Sequence, residues 1–470
     1  MIKISNHTHT ALSDQQLQKN LLHVLEKTVT DRNEAVSDVP NWEELREYAR
    51  QVKSHTLSRL DYYLEELESK VQGKGAKVIW AETPQQAIEF ILDLAHHKQM
   101  NRVIKSKSML TEEIHLNQSL ERFGINPIET DLGEYIVQLA GETPSHLIAP
   151  ALHKSRGEIA NLFVEKVGMS ATDDVVEITA TARRILRDHF LTAQIGITGA
   201  NFAVSETGTI VVVENEGNIR LTASVPEIHV AMMGIEKVIP RQSDLSVFLK
   251  LLTRSATGQK ITSYINCLTG ACRDGEMDGP REFYLVLIDN GRTRILRDAY
   301  LRQTLACIRC GACQNVCPVY QRLGGHAYGS TYQGPIGAIL TPQLESVEKA
   351  PEHSFASSLC GACYEVCPVK IEIPHILLKL RNKTQTKKNN KAAHLPMERW
   401  AVQLWSWIMQ SSYRYERLAA CCRVMFKVLS KREKLKSFIP LLKPWIEYRE
   451  LPSFPEQSFR DLYQSGEQEK

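Results

Sequence analysis

The sequence has no uninterrupted apolar stretch long enough to span a bilayer. Its first residues, MIKISNHTHTALSDQQLQKN, hold no apolar signal region and no small-residue cleavage pattern, so no secretory signal is read there. G-x-G-x-x-G is absent from any strand-to-helix setting, which argues against a flavin or nicotinamide fingerprint. An excess of one charge is lacking too. The 57 Lys and Arg against 54 Asp and Glu leave a formal +3 over 470 residues, which points to no nucleic acid. Glycine (25) and proline (19) are not elevated, which excludes fibrous and low-complexity classes. The expectation is a cytoplasmic globular protein of two or three domains.

Cysteine is what the chain does have. Seven of its 11 cysteines fall in two motifs. ACIRCGACQNVCPVY reads C-x2-C-x2-C-x3-C-P through Cys307, Cys310, Cys313 and Cys317. SSLCGACYEVCPVK reads C-x2-C-x3-C-P through Cys360, Cys363 and Cys367, with Ser357 at the place of Cys307. A reducing compartment disfavours disulfides, so clustered thiols there point to metal or redox chemistry. Three thiolates at two-residue spacing wrap a compact multi-iron cluster, and the Cys-Pro cysteine serves a second one. On that pattern Cys307, Cys310, Cys313 and Cys367 hold one 4Fe–4S cluster. Cys317, Cys360 and Cys363 hold another and lack a ligand. Structural zinc, which favours two separated pairs, fits the spacing poorly.

Three readings of the missing ligand stand open. Ser357 supplies an oxygen; Cys267, Cys272, Cys421 or Cys422 reaches in; or one iron is open to solvent, a partner or substrate. An open iron would act as a Lewis acid toward a 2-hydroxy acid. A capped cluster would only carry electrons.

Periodicity places the motifs. Leu45, Tyr48, Val52, Thr56, Leu60, Tyr63, Leu64 and Leu67 predict one long amphipathic helix. KVIWAE reads as strand, and TPQQAIEFILDLAHHK as helix with Thr83 as N-cap and Pro84 first. TEEIHLNQSLERFG reads as helix closed by Gly124; FAVSE, TIVVVEN, RLTASV and REFYLVLIDN read as strands. DVVEITATARRILRDHFLTA and SDLSVFLKLLTRSAT read as helices. This alternation predicts an α/β layered domain. KTQTKKNNKAAHLP reads as a linker, the Trp-rich RWAVQLWSWIMQ onward as helix, and the end of the chain as an extended tail.

KSKSMLTEEIHLN, ETDLGEYIVQLAGETPSHLIAPALHK and GITGANFAVSETGTIVVVENEGN resemble the LUD domain of the lactate utilization protein B (LutB/LldF) family. The ferredoxin motifs follow in that family's order, and LKPWIEYRELPSFPEQSFRDLY is similar to its tail. The resemblance implies four regions. Residues 1–72 are helical, and 73–295 form an α/β LUD domain like the NagB, RpiA and CoA-transferase fold. Residues 296–385 form a two-cluster ferredoxin-type domain, and 386–470 a helical or extended C-terminal region.

The resemblance also implies an electron-transfer subunit of an L-lactate dehydrogenase-type complex oxidising lactate to pyruvate. It assigns the seven cysteines as above, with the second cluster short of a cysteine in the family too. Its implied partners are a LutA-like cysteine-rich iron–sulfur protein and a LutC-like LUD protein. The rival expectation is that the chain itself oxidises a 2-hydroxy acid at an open iron. The fold analogy also singles out Glu206 as a nucleophile, against a plain hydrogen-bonding role. Lys105, Lys107 and His153 are candidates for carboxylate binding, against surface charge and satisfied polar contacts. The Trp-rich helix carries an expectation of peripheral contact with the inner membrane face, against packing on the ferredoxin region.

Overall fold

The computed structural model describes residues 4–391, 396–430 and 457–464. They fall into two compact units, Met1–Lys387 and Lys388–Lys470. In the first, ten strands are β1 (Lys77–Ala81), β2 (Val103–Lys105), β3 (Ile128–Glu129), β4 (Ile195–Gly199), β5 (Phe202–Val204), β6 (Thr209–Glu214), β7 (Ile228–Gly234), β8 (Val238–Ile239), β9 (Tyr264–Leu268) and β10 (Glu282–Ile288). One six-stranded sheet runs β1-β10-β7-β4-β2-β3. Each of its pairs is parallel. A second sheet runs β8-β5-β6-β9 and is mixed.

A parallel sheet covered on both faces needs strands that are apolar throughout. β7 is buried along its length and β10 from its second residue on. On one face Ile91 and Ala87 of helix Pro84–His97 meet Ile195, Ile197 and Val230. That helix starts as its sequence indicates, with Pro84 at its first position and Thr83 and Gln86 forming a capping box around it. On the other face Leu285 and Leu287 share a core with the second sheet, the N-terminal helices, and Ile308, Cys310 and Ile376. The α/β layers and the cysteine loops are thus built on one continuous hydrophobic core.

Five local expectations change. The long amphipathic helix is two, Trp42–Ser58 and Leu60–Gln72, because Arg59 leaves helical geometry at φ −134°. There the Thr56 and Ser58 hydroxyls donate back to the carbonyls of Val52 and His55, which competes with the helical ladder. TEEIHLNQSLERFG is also split, at His115 with φ 55°. RLTASV is not a strand but part of helix Asn218–Ser224. The Glu214 carboxylate accepts the N–H groups of Ile219 (2.6 Å) and Arg220 (3.0 Å), and so caps that helix. Much of the expected linker lies in helix Ile373–Lys391. Helices Pro396–Met409 and Ser412–Ser430 follow, and FRDLYQ of the tail is a short helix, Phe459–Gln464. The rest of the expected tail lies outside the described residues.

Candidate metal centre

The two cysteine motifs fold into the same backbone. In the first, Arg309 at φ 60° and Gly311 at φ 74° turn the chain before the short helix Ala312–Asn315. In the second, Leu359 at φ 57° and Gly361 at φ 88° do the same before Ala362–Glu365. A bulky residue in left-handed geometry costs roughly 1–2 kcal/mol, so its recurrence at one motif position marks a constraint. The constraint is visible in the amides. The Arg309 N–H donates to Cys307 Sγ at 3.4 Å, and the Leu359 N–H donates to Ser357 Oγ at 3.1 Å. Ser357 therefore presents its oxygen where the first loop presents a sulfur.

The Cys-Pro cysteines are cradled in parallel fashion. Backbone N–H groups of Val319 and Tyr320 favour the Cys317 thiolate, and those of Val369 and Ile371 the Cys367 thiolate. The Ile371 N–H lies 3.3 Å from Cys367 Sγ.

Distant parts of the chain now meet. Cys307, Cys310, Cys313 and Cys367 line one cavity with Ile308, Ile336, Val369 and Ile373. Cys317 and Cys363 each feel the Cys360 sulfur, and Cys363 also feels Cys317. Cys313 and Cys363 interact across the two groups. The cysteines of both motifs thus gather as an interleaved pair of sets. All eleven cysteines of the chain are free of disulfides.

The donor set suits a multi-iron group. Among the described residues, sets of three or more His, Cys, Asp or Glu ligand atoms within 4.8 Å of one another are Glu142, His153, His326 and Glu112, Glu129, Glu134; cysteines form none. A single tetrahedral zinc would need its sulfurs about 3.8 Å apart at a bond of about 2.3 Å. Burial pushes the Cys310 and Cys363 thiols up to about 12 and Cys367 up to about 11. Bare thiolates are costly in such a place, and metal ligation replaces their protons.

The two sets differ in surroundings. Cys310 and Cys367 are buried, and Arg32 and Arg46 lie close enough to favour their thiolates. Arg46 Nε donates to the Cys367 carbonyl at 3.0 Å and Nη2 to the Tyr364 carbonyl at 3.1 Å. Arg32 Nη2 donates to the Val366 carbonyl at 3.2 Å. Lys53, Lys237 and Arg309 lie within electrostatic reach of Cys307. In the second set Cys317 and Cys363 are buried too, but Cys360 is exposed where no cysteine of the first set is more than half-exposed, and Ser357 is half-buried. No cation stands among the strongest influences on Cys317 or Cys363. Sequence reasoning missed Arg46 and Lys53. Their signal was there, since both fall on the buried stripe Trp42, Arg46, Ala49, Lys53, Thr56 of one helix.

The other candidates fall elsewhere. Cys272 Sγ is engaged in its own loop, 3.2 Å from the Glu276 carbonyl, and Cys267 is exposed on β9. Cys421 and Cys422 lie on helix Ser412–Ser430 of the second unit. Lys105 is no surface charge. It is fully buried, with Nζ 2.7 Å from Glu129 and 3.0 Å from Glu112, which occupy it internally. His153 bonds Ser145 at 2.8 Å and Glu142 at 2.6 Å, a satisfied polar contact. Glu206 is exposed and accepts the Gln242 N–H at 2.8 Å. It serves a helix start, as the plainer reading expects. Lys107 alone of the three carboxylate candidates lines an open cleft.

Comparison with known proteins agrees with this architecture. A LUD domain model matches residues 64–288, a 4Fe–4S dicluster domain 303–371, and a lactate utilisation protein B C-terminal model 378–468. Lactate utilization protein B of Bacillus cereus (strain AH820) is 42% identical over 461 residues, covering 98% of this chain and 96% of that protein. The protein of that name from Bacillus thuringiensis (strain Al Hakam) is 42% identical over the same shares. A crystal structure of a DUF162 family protein from Deinococcus radiodurans, 12% identical, covers 49% of this chain and 98% of its own at a TM-score of 0.28. The chain belongs to the lactate utilization protein B family and is an iron–sulfur protein that matches a 4Fe–4S dicluster domain.

Proposed function

We propose that the chain is the iron–sulfur electron-transfer component of a multiprotein system that oxidises L-lactate to pyruvate. The observation that carries this reading is the interleaving of the cysteine motifs, with Cys367 joined to Cys307, Cys310 and Cys313. On it, those four residues hold one 4Fe–4S cluster. Cys317, Cys360 and Cys363 hold a second, with the Ser357 oxygen or solvent at its remaining corner. When bound, such clusters supply one-electron acceptance and donation.

The chain's own residues do the rest. Shared ligation keeps the two sets in contact, so electrons have a short path between them. Arg32 and Arg46 offset the negative charge of the buried set. The exposed Cys360 and half-buried Ser357 bring the second set to the surface, where a protein partner reaches it. The reading assigns that partnership to a LutA-like cysteine-rich iron–sulfur protein and a LutC-like LUD protein. Substrate and pathway follow from the name of the relatives. Among the described residues no helix is long and apolar enough to cross a membrane.

The test is anaerobic purification of the full chain, with iron and sulfide counts and EPR with and without L-lactate. About eight irons in two 4Fe–4S clusters supports the reading. Reduction by lactate only when both partners are present supports a relay. Reduction of the isolated chain by lactate would make it the catalyst, and a zinc-only protein would overturn the assignment.

A further inference from the structure

A cleft of about 310 Å³ opens at the carboxyl ends of β2, β4 and β7. This is where open parallel α/β sheets bind ligands, and the volume suits a small molecule. Lys107 and Asp131 follow β2 and β3, Glu216 follows β6, and Lys237 follows β7 in the cleft wall. The cysteine region supplies part of the wall: Arg309, between Cys307 and Cys310, and Tyr332. The cleft therefore reaches the loop of the buried cysteine set.

Two cationic groups in it have unpaired donors. Arg309 is 9% exposed, and its Nη1 is buried with no hydrogen bond. Its Nη2 lies 3.3 Å from Glu236, and its guanidinium sits 4.8 Å above the Tyr332 ring. Lys237 makes no hydrogen bond or ion pair, whereas Lys107 donates to the Ile148 carbonyl at 2.5 Å. Buried donors are nearly always satisfied, so an unpaired guanidinium nitrogen beside an unpaired ammonium describes a site for an anion. Burial and the neighbouring Asp131 raise the Glu216 carboxyl to about 7. Near neutral pH it is able to offer a proton to a ligand oxygen. Asp131 and Glu214 also line the cleft and oppose a second negative charge on the ligand.

One negative charge, with a hydrogen-bonding oxygen beside it, meets these demands. We propose that the cleft binds a small 2-hydroxy- or 2-oxo-monocarboxylate, its carboxylate on Lys237 and Arg309, against the loop that carries Cys307 and Cys310. The choice of acid rests on the proposed role in lactate oxidation; the cleft and its unpaired donors do not. This site is separate from the incomplete corner of the second set.

The test uses the anaerobically purified full chain with its iron. L-lactate, pyruvate and neutral glycerol are titrated by calorimetry, and EPR of the reduced protein is recorded with and without each. Saturable binding of lactate or pyruvate but not glycerol is expected, with an EPR change confined to one cluster. Lys237→Met should weaken binding about tenfold or more at unchanged iron content, and Lys237→Arg should restore part of it. If Lys237→Met loses iron, Lys237→Gln, which keeps a donor but no charge, takes its place with the same expectation. Absence of saturable binding, or equal affinity in the variants, overturns the cleft assignment while an intact iron count leaves the electron-transfer reading standing. A chain without iron overturns that reading, and the calorimetry still reports on the cleft.

Discussion

The two cysteine loops share a backbone and differ in almost everything around it. Both carry a left-handed non-glycine residue two positions past the first ligand site and a left-handed glycine two further on. The set gathered on the first loop has Arg32 beside Cys310 and Arg46 beside Cys367; the other set has an exposed cysteine and an oxygen in place of a sulfur. The difference teaches that the turn is set by its amides and not by the thiolate. Ser357 accepts the same N–H that Cys307 accepts. A loop able to keep its shape without the sulfur is free to make its fourth corner labile.

The strongest way to break this comparison is at Cys367, which belongs by sequence to the second loop and by position to the first set. Cys367→Ala should remove the buried cluster, lowering iron by about half. An iron assay with EPR showing loss of the exposed cluster instead would reverse the assignment. Ser357→Cys should complete the second set and slow the loss of iron in air. Unchanged lability, followed by absorbance after exposure to oxygen, would show that Ser357 does not face the cluster.

Acid should separate the loops next. His146 pins the first one, with Nε2 2.9 Å from Asn315 Oδ1, and burial lowers its pKa from 6.5 to about 4. The folded protein takes up this proton less readily than the unfolded chain. Its contribution is complete above pH 6.5 and lost as pH falls toward 4, a change of about 3 kcal/mol. His146→Gln should flatten the fall in thermal midpoint over that window; parallel curves for variant and parent would refute the linkage. The smallest effects belong to the glycines. Gly361→Ala meets nothing within 4 Å and should cost only its left-handed strain, about 1 kcal/mol. Gly311→Ala also meets Ile148 at 3.1 Å and should cost about 2 kcal/mol. Equal thermal shifts would show the two loops to be packed alike.

The cysteine spacing was legible because ligation by a short loop is a local property, and the repeat made the interleaving readable before any coordinate. β1, β5, β6 and β10 were legible through apolar runs bounded by turns, whereas β4 and β7 were not singled out. RLTASV was not, because a β-like string was captured as helix by a carboxylate from Glu214. The break at Arg59 was hidden by a hydrophobic stripe that continues on both sides of it. Lys105 and Lys237 show why side-chain roles are hardest to read. Both are lysines after or within strands, yet one is saturated by Glu112 and Glu129 and the other makes no ion pair.

Helix Trp42–Ser58 has a consequence for biosynthesis. Arg46 bonds to a carbonyl 321 residues further along the chain, and Arg32 to one 334 residues away. The ribosome therefore delivers both cations long before it delivers their acceptors. Two arginines of the interior spend most of translation in water, and the helix made nearly first is among the last to be fastened. A nascent chain is open around its cysteines until that fastening, which leaves an interval for iron delivery before the door shuts.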